Sequence, residues 1–106
     1  MEPKAAVYFT IQQIKDANKA IGHHWFEPGT LRFFNSRVSG PVIGNMFVSS
    51  ERYNGDTERR YTIRECIDGR IETVGEFQQY ASKRQALKAI GHEIERRAAA
   101  TQPSTK

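Results

Sequence analysis

Alternation of side-chain character between positions 59 and 67 constrains the fold more than any other feature of this chain. One set of alternate residues is largely apolar and the other is polar, which is the two-residue period of a β-strand. The apolar set contains Tyr61, Ile63 and Ile67, and the polar set contains Arg60, Thr62 and Arg64. Asp68-Gly69 follows at once, and an Asp-Gly pair beside such a segment is a strong hairpin signal. We therefore predict an antiparallel hairpin whose second strand covers 70–77.

Two registers are open to this hairpin. A two-residue loop pairs Ile63 with Val74, but it also sets Glu65 opposite Glu72, and like charges facing each other are destabilising. A three-residue loop with Gly69 in the left-handed conformation shifts the pairing by one position. The shifted register places Ile71, Thr73, Gly75 and Phe77 on the face of Tyr61 and Ile63. We expect the three-residue loop because it separates the two carboxylates.

Helix signals lie on both sides of the predicted strands. Thr10 and Gln13 form a capping box ahead of a first helix at about 11–21, which Gly22 ends. A short second helix at about 28–36 begins at Pro28, and Ser39-Gly40-Pro41 breaks the chain after it. The last helix follows Ser82, with Gln85 completing its cap. Its predicted inner face contains Leu87, Ile90, Gly91, Ile94 and Ala98.

The predicted architecture is an α+β domain of order α-α-β-β-β-α. Positions 46–53 have strand composition and precede the turn signal Asn54-Gly55-Asp56, which completes a three-stranded antiparallel meander. We expect the helices to cover one face of this sheet, with the C-terminal helix packed on it. Residues 10–98 form the predicted domain, between a flexible N-terminus at 1–9 and a disordered tail at 99–106.

Composition narrows the function classes. The chain has 106 residues, one cysteine and a net charge of +4 with a pI near 9.5. A single cysteine excludes an internal disulfide, and no apolar stretch reaches the ~20 residues that a membrane span requires. The N-terminus lacks the pattern of a signal peptide, so a cytoplasmic location is expected, in a bacterial host.

The run from His23 to Val38 carries four of the eleven aromatic side chains, including the only tryptophan. Helical phase assigns Trp25, Leu31, Phe34 and Val38 to the core. Three residues then remain as a candidate contact surface: Arg32, Phe33 and Arg37. Phe33 is the aromatic expected to be exposed or to meet a second subunit, and the second alternative implies a homodimer.

The spacing of the histidines and the cysteine does not match that of a catalytic or metal-binding site. His23 and His24 are adjacent and do not face one way on a helix, and His92 and Cys66 are distant partners. Cys66 lacks the glycine-bracketed turn that presents a nucleophile to substrate. We therefore expect no metal, no cofactor and no enzymatic activity.

Basic residues are the stronger functional signal. Arg60 and Arg64 share the predicted outer face of the sheet, and Arg32 and Arg37 flank Phe33. Lys83 and Arg84 open the last helix, where positive charge is unfavourable unless an anion binds. The seven predicted binding residues are Arg32, Phe33, Arg37, Arg60, Arg64, Lys83 and Arg84.

Two resemblances extend this interpretation. The α-β-β-β-α order with Ala81-Ser82-Lys83-Arg84-Gln85-Ala86-Leu87-Lys88 opening the last helix resembles a double-stranded-RNA-binding domain, which implies phosphate contacts from Lys83, Arg84 and Lys88. Motifs such as His24-Trp25-Phe26, Leu31 to Val38 and Thr73 to Tyr80 are similar to a family of small uncharacterised proteins of bacteriophages and plasmids, over about residues 10–90. That family implies a mobile-element accessory protein.

The predicted function is binding without catalysis. The first hypothesis is a partner that is nucleic acid or a ribonucleoprotein, contacted by the seven residues above. The alternative is an anti-defence inhibitor of the anti-CRISPR type, which binds a host protein complex. Capture of a host protein that survives nuclease treatment would favour the second hypothesis.

Overall fold

Four antiparallel strands in sequence order form the centre of the fold, which confirms the α+β class and corrects the strand count from three to four. The computed structural model describes residues 6–33, 35–52 and 58–101. The sheet order is β1-β2-β3-β4. The elements are α1 (Ile11–Ala20), α2 (Pro28–Phe33), β1 (Ser36–Ile43), β2 (Met46–Glu51), β3 (Arg60–Ile67), β4 (Arg70–Val74) and α3 (Lys83–Thr101).

Strand β1 is the element that the sequence analysis missed. The second helix was predicted to reach 36, but it ends at Phe33, and Asn35 turns the chain with a φ of 50°. Ser36, Arg37 and Val38 then pair with β2. The predicted break at Ser39-Gly40-Pro41 lies inside this strand as an irregularity of register. Proline is tolerated there because β1 is an edge strand, where a missing N–H donor leaves no neighbour unpaired.

The hairpin between β3 and β4 has the two-residue loop, so the predicted three-residue register is wrong. Ile63 pairs with Val74 and Glu65 pairs with Glu72. Asp68 and Gly69 both have positive φ, at 51° and 93°, as a two-residue hairpin turn of this class requires. The facing carboxylates are tolerated because Arg97 of α3 donates two hydrogen bonds to Glu65, at 2.8 and 2.9 Å.

Helices cover both faces of the sheet, which corrects the expected one-sided arrangement. Met46 and Val48 of β2 pack with α3 in one hydrophobic cluster. Phe47, which lies between them, packs in a second cluster with Ile14 of α1 and with Trp25. Side chains of successive strand residues point to opposite faces, so α3 lies on one face and α1 on the other.

The predicted starts of the two main helices are confirmed. The Thr10 hydroxyl accepts from the Gln13 amide at 3.1 Å, and the Gln13 side chain accepts from the Thr10 amide at 3.2 Å. Gly22 follows α1 with a φ of 81°. The Ser82 hydroxyl accepts from the amide of Gln85 at 3.1 Å at the start of α3. Capping groups of this kind satisfy amides that the first helical turn leaves unpaired.

The inner face of α3 differs from the predicted one. Ala86 and Ile90 are buried, and Leu87 and Ile94 are half-buried, but Gly91 and Ala98 are exposed. The helix continues to Thr101, through residues assigned to the tail. At the other end of the chain, the amide of Tyr8 donates to the side-chain oxygen of Asn45 at 2.8 Å. The predictions for Phe34 and for the turn at 54–56 lie outside the described residues.

Candidate functional site

The seven predicted binding residues do not form one surface. Arg32 and Phe33 lie on α2, and Phe33 is 70% exposed, as expected. Arg60 and Arg64 are on the sheet face that α1 and Trp25 cover, so the prediction that this face is open to solvent is wrong. Arg37 and Lys83 come together on the other face, and Arg84 is exposed one position further along α3.

Arg60 and Arg64 are held by hydrogen bonds within the protein. Arg60 donates to the backbone oxygens of Gln78 and Gln79, at 2.9 and 3.1 Å. Arg64 donates to the hydroxyls of Ser49 and Thr73 and to the carboxylate of Glu51, and its side chain is 12% exposed. Thr62, between them, is buried and donates to Glu51 at 2.7 Å. Both arginines therefore have structural roles. The alternation of Arg60 and Arg64 with Tyr61 in the sequence does not show this, because it does not tell what covers their face of the sheet.

A cluster of cations lies where β1 and β2 meet the start of α3, and we call it the basic cleft. The cleft has a volume of about 220 Å³, and none of the described residues that line it is acidic. Positive charges that converge without a carboxylate favour binding of an anion. The lining residues are Arg37, Arg59 and Lys83, with Ser39, Val48, Ser50 and Tyr61.

Arg59 is fixed in the cleft by neutral groups. One terminal nitrogen of its guanidinium, Nη1, donates to the backbone oxygens of Asn35 and Ser50, both at 2.9 Å, and to the Ser50 hydroxyl at 3.1 Å. Nη2 donates to the Asn35 side-chain oxygen at 3.2 Å. Burial and the positive charge of Arg37 lower the pKa of Arg59. Both effects disfavour the charged form of Arg59, because burial removes water from the guanidinium and Arg37 repels it.

Lys83 joins the cleft from the first turn of α3. Its ammonium donates to the Ser39 hydroxyl at 2.8 Å and to the Gly40 backbone oxygen at 2.7 Å. An ammonium has three donors, so one remains for another acceptor. The first turn of α3 contains no acidic residue, although the helix dipole favours negative charge there. Lys83 and its helix end therefore both favour an anion in the cleft.

A second concave site, which we call the aromatic cavity, lies on the α1 side of the sheet. It has a volume of about 300 Å³ and is lined by Trp25, Thr30, Leu31, Ser36, Arg64 and Phe77. The guanidinium carbon of Arg64 lies 5.4 Å from the centre of the Trp25 ring and 5.5 Å from that of Phe77. Both distances are within the range of cation–π contact. Its walls therefore combine two aromatic rings with one cation.

Trp25 and Phe77 arrive at this cavity from different parts of the chain. The amide of Trp25 donates to the buried side chain of Asn18, which itself donates to the Gly69 backbone oxygen at 2.8 Å. Phe77 follows β4 in the loop that Arg60 holds through Gln78. Trp25 also packs edge-on against Phe26, with ring centres 4.7 Å apart. Trp25 is thus half-buried, with part of its ring in the core and part in the cavity wall.

The residues considered for catalysis or metal binding are not assembled into a site. Cys66 is fully buried, and burial raises the pKa of its thiol, which disfavours the nucleophilic thiolate. His23 and His24 are exposed before α2, and His92 is exposed on α3. Nowhere in the described part of the chain do three His, Cys, Asp or Glu side chains come close enough to hold a metal ion. None of the helices within residues 6–33, 35–52 and 58–101 has the length and apolar character needed to span a bilayer.

Sequence reasoning found two of the three cations in the basic cleft and missed Arg59. The same alternation that separates Arg60 from Tyr61 places Arg59 on the face of Tyr61, so the signal was present in the sequence. The aromatic cavity was missed because Phe77 was assigned to the face of Ile63. Phe77 instead lies beyond β4, which ends at Val74, and it lines the cavity together with Arg64.

Comparison with known proteins gives one match. Residues 10–91 match the family of unknown function DUF7447. The chain belongs to that family. No curated protein and no solved structure matches it. The matched range starts at the cap of α1 and ends within α3, so it includes every residue of the basic cleft and of the aromatic cavity. The predicted phage or plasmid origin and the analogy to double-stranded-RNA-binding domains stay predictions.

Proposed function

We propose that this protein binds nucleic acid by taking backbone phosphates into the basic cleft. The observation that carries the proposal is the convergence of three cations from separate elements on a cleft whose described lining residues include no carboxylate. Arg37 comes from β1, Arg59 directly precedes β3 and Lys83 begins α3. Salt bridges elsewhere in the chain pair arginine with glutamate, as Arg97 does with Glu65. The cations of the cleft instead meet hydroxyl and carbonyl groups.

The bonds within the cleft support binding to phosphate. Arg59 and Lys83 are held by neutral acceptors, so their charges are positioned before a ligand arrives. Arginine presents a planar fork of donors that matches phosphate oxygens, and lysine acts as a point charge. Arg37 is exposed and makes no hydrogen bond or salt bridge with the described residues. It is therefore able to contact a phosphate without breaking a hydrogen bond or salt bridge to any of the described residues.

Salt dependence of binding tests this proposal. Affinity for a fluorescent oligothymidylate is measured by anisotropy at several salt concentrations. Three phosphate contacts predict a slope of log affinity against log salt of about −2 for a single strand. The Arg37→Gln variant is expected to bind about tenfold more weakly and to reduce the size of the slope by about 0.7.

Arg70→Gln is the matched control. Arg70 is also an exposed arginine on an edge strand, but it lies on β4, at the opposite side of the sheet. We expect this variant to bind almost as tightly as the parent protein. A flat salt response, or equal losses in the two variants, would contradict phosphate binding in the basic cleft. Binding to a host protein in the absence of nucleic acid would then be the stronger hypothesis.

A further inference from the structure

We infer that the aromatic cavity receives one unpaired base of the strand whose phosphates contact the basic cleft. The ligand class is therefore single-stranded nucleic acid. This inference rests on the proposed function and adds to it the form of the nucleic acid and a second contact. It is carried by the chemistry of the cavity and by its position relative to the cleft.

The walls of the cavity offer the surfaces on which bases stack. Trp25 and Phe77 present aromatic rings, and the guanidinium of Arg64 lies against both. Unpaired bases stack on aromatic rings and on arginine planes with little dependence on sequence. A volume of about 300 Å³ is at the lower end of the range for small-molecule sites, which suits one ring system. Bases in a duplex remain paired and stacked, and removing one costs a few kcal/mol.

Arg64 is held in position before any base arrives. Its three nitrogens donate to Ser49, Thr73 and Glu51, at 3.0, 2.6 and 3.2 Å. A guanidinium has five N–H groups, so two remain beyond these three bonds. The Ser36 hydroxyl also lines the cavity, and it makes no side-chain hydrogen bond with the described residues. Polar groups are thus present for the edge of a base as well as for its face.

Strand β1 connects the cavity to the cleft. Ser36 lines the aromatic cavity and Arg37 lines the basic cleft, and these residues are adjacent in the chain. Their side chains point to opposite faces of the sheet because successive strand residues alternate. β1 is an edge strand, with β2 on one side only. A flexible single strand that crosses this edge can therefore place a base on one face and a phosphate on the other.

The test compares two strands that differ only in their bases. One is an oligothymidylate of about 12 nucleotides, within the site sizes known for small single-strand-binding domains. The other has the same backbone with abasic sugars throughout. We expect the oligothymidylate to bind about 5- to 150-fold more tightly, which is the range for stacking of one base on an aromatic residue. It is also expected to change the fluorescence of Trp25, the only tryptophan, whereas the abasic strand does not.

Variants locate the effect in the cavity. Phe77→Leu keeps an apolar side chain but removes the ring, and we expect it to reduce the preference for bases at least fivefold with the abasic affinity unchanged. Phe9→Leu is the matched control, because Phe9 is 71% exposed and does not line the cavity. Equal affinity for the two strands, or equal effects of the two variants, would overturn this inference and leave phosphate binding intact. Failure of both strands to bind would overturn the proposed function as well.

Discussion

The buried carboxylate of Glu51 offers the sharpest test of how the sheet holds its polar residues. Glu51 is fully buried and accepts hydrogen bonds from Ser49, Thr62 and Arg64. The side chain of Arg64 is 12% exposed, so the ion pair between the two is largely withdrawn from water. Glu51→Gln keeps the shape of the side chain but removes its negative charge, and the guanidinium of Arg64 then has no anionic partner.

The expected loss of stability follows from this geometry. Removing one partner of a buried ion pair costs about 3–5 kcal/mol, since the remaining charge stays buried. Unfolding entropy for a chain of this length converts each kcal/mol to a change of about 4–5 °C in Tm. We therefore expect Glu51→Gln to lower Tm by about 13–22 °C. The stacking of Arg64 against Trp25 and Phe77 persists in the variant, which favours the lower end of this range.

Thermal and urea unfolding followed by far-UV circular dichroism measure this loss. Glu72→Gln is the control, because Glu72 is half-exposed and its contact with Arg70 is 3.8 Å long. Exposed pairs contribute about 0–1 kcal/mol, so the control is expected to leave Tm almost unchanged. A loss below about 1 kcal/mol in Glu51→Gln would refute the reasoning. Such a small loss would mean that the stability of the buried hydrogen-bond network does not depend on the negative charge of Glu51.

Three further predictions concern separate parts of the fold. Gly69→Ala is expected to cost more stability in urea unfolding than Gly22→Ala. Both glycines have positive φ, but only at Gly69 would a Cβ atom meet the Ala17 backbone oxygen, at 2.7 Å. Equal losses would contradict close packing of the hairpin turn on α1. Hydrogen bonds from Arg96 and Arg97 lower the pKa of Glu93 to about 2, so the contribution of Glu93 to folding stability is complete above its ordinary pKa and is lost as pH falls towards 2. The difference in unfolding free energy between the parent protein and Glu93→Gln should therefore shrink from pH 6 to pH 2. A constant difference would refute the lowered pKa. Phe33→Ala is expected to change the free energy of unfolding by less than about 0.5 kcal/mol, because Phe33 is 70% exposed; a loss above about 2 kcal/mol would show a structural role.

Local signals predicted the parts of the fold that depend on local chemistry. The capping groups at Thr10 and Ser82 and the face alternation around Ile63 are all readable from neighbouring residues. The hairpin register could not be predicted from neighbouring residues, because the positive charge that compensates Glu65 comes from Arg97, 32 positions further along the chain. Strand β1 was missed because Gly40-Pro41 is a typical turn signal, and only its place at the sheet edge makes it compatible with a strand.

For the candidate sites, too, the sequence identified the residue types but not the tertiary contacts of each residue. Basic residues were identified from composition and spacing, yet whether each one faces a ligand or a protein partner depends on what covers each sheet face. Arg64 was assigned to solvent, but Trp25 and Phe77 cover it. Lys83 was predicted to meet phosphate from the helix end alone, and β1 brings Arg37 to the same place. Tertiary contacts between elements far apart in sequence decide these outcomes.

Mapping of amide chemical shifts during titration with oligothymidylate tests the central claim most directly. If phosphates bind in the basic cleft, large changes fall on the strand segment 36–39, on Ser50, on residues 59–61 and on Lys83, in addition to the changes at Trp25 and Phe77 that base stacking in the aromatic cavity causes. Arg84, Lys88, His92 and Arg96, on the exposed side of α3, are expected to change little. Changes confined to that side of α3, or no changes at low salt, would contradict nucleic-acid binding at the cleft.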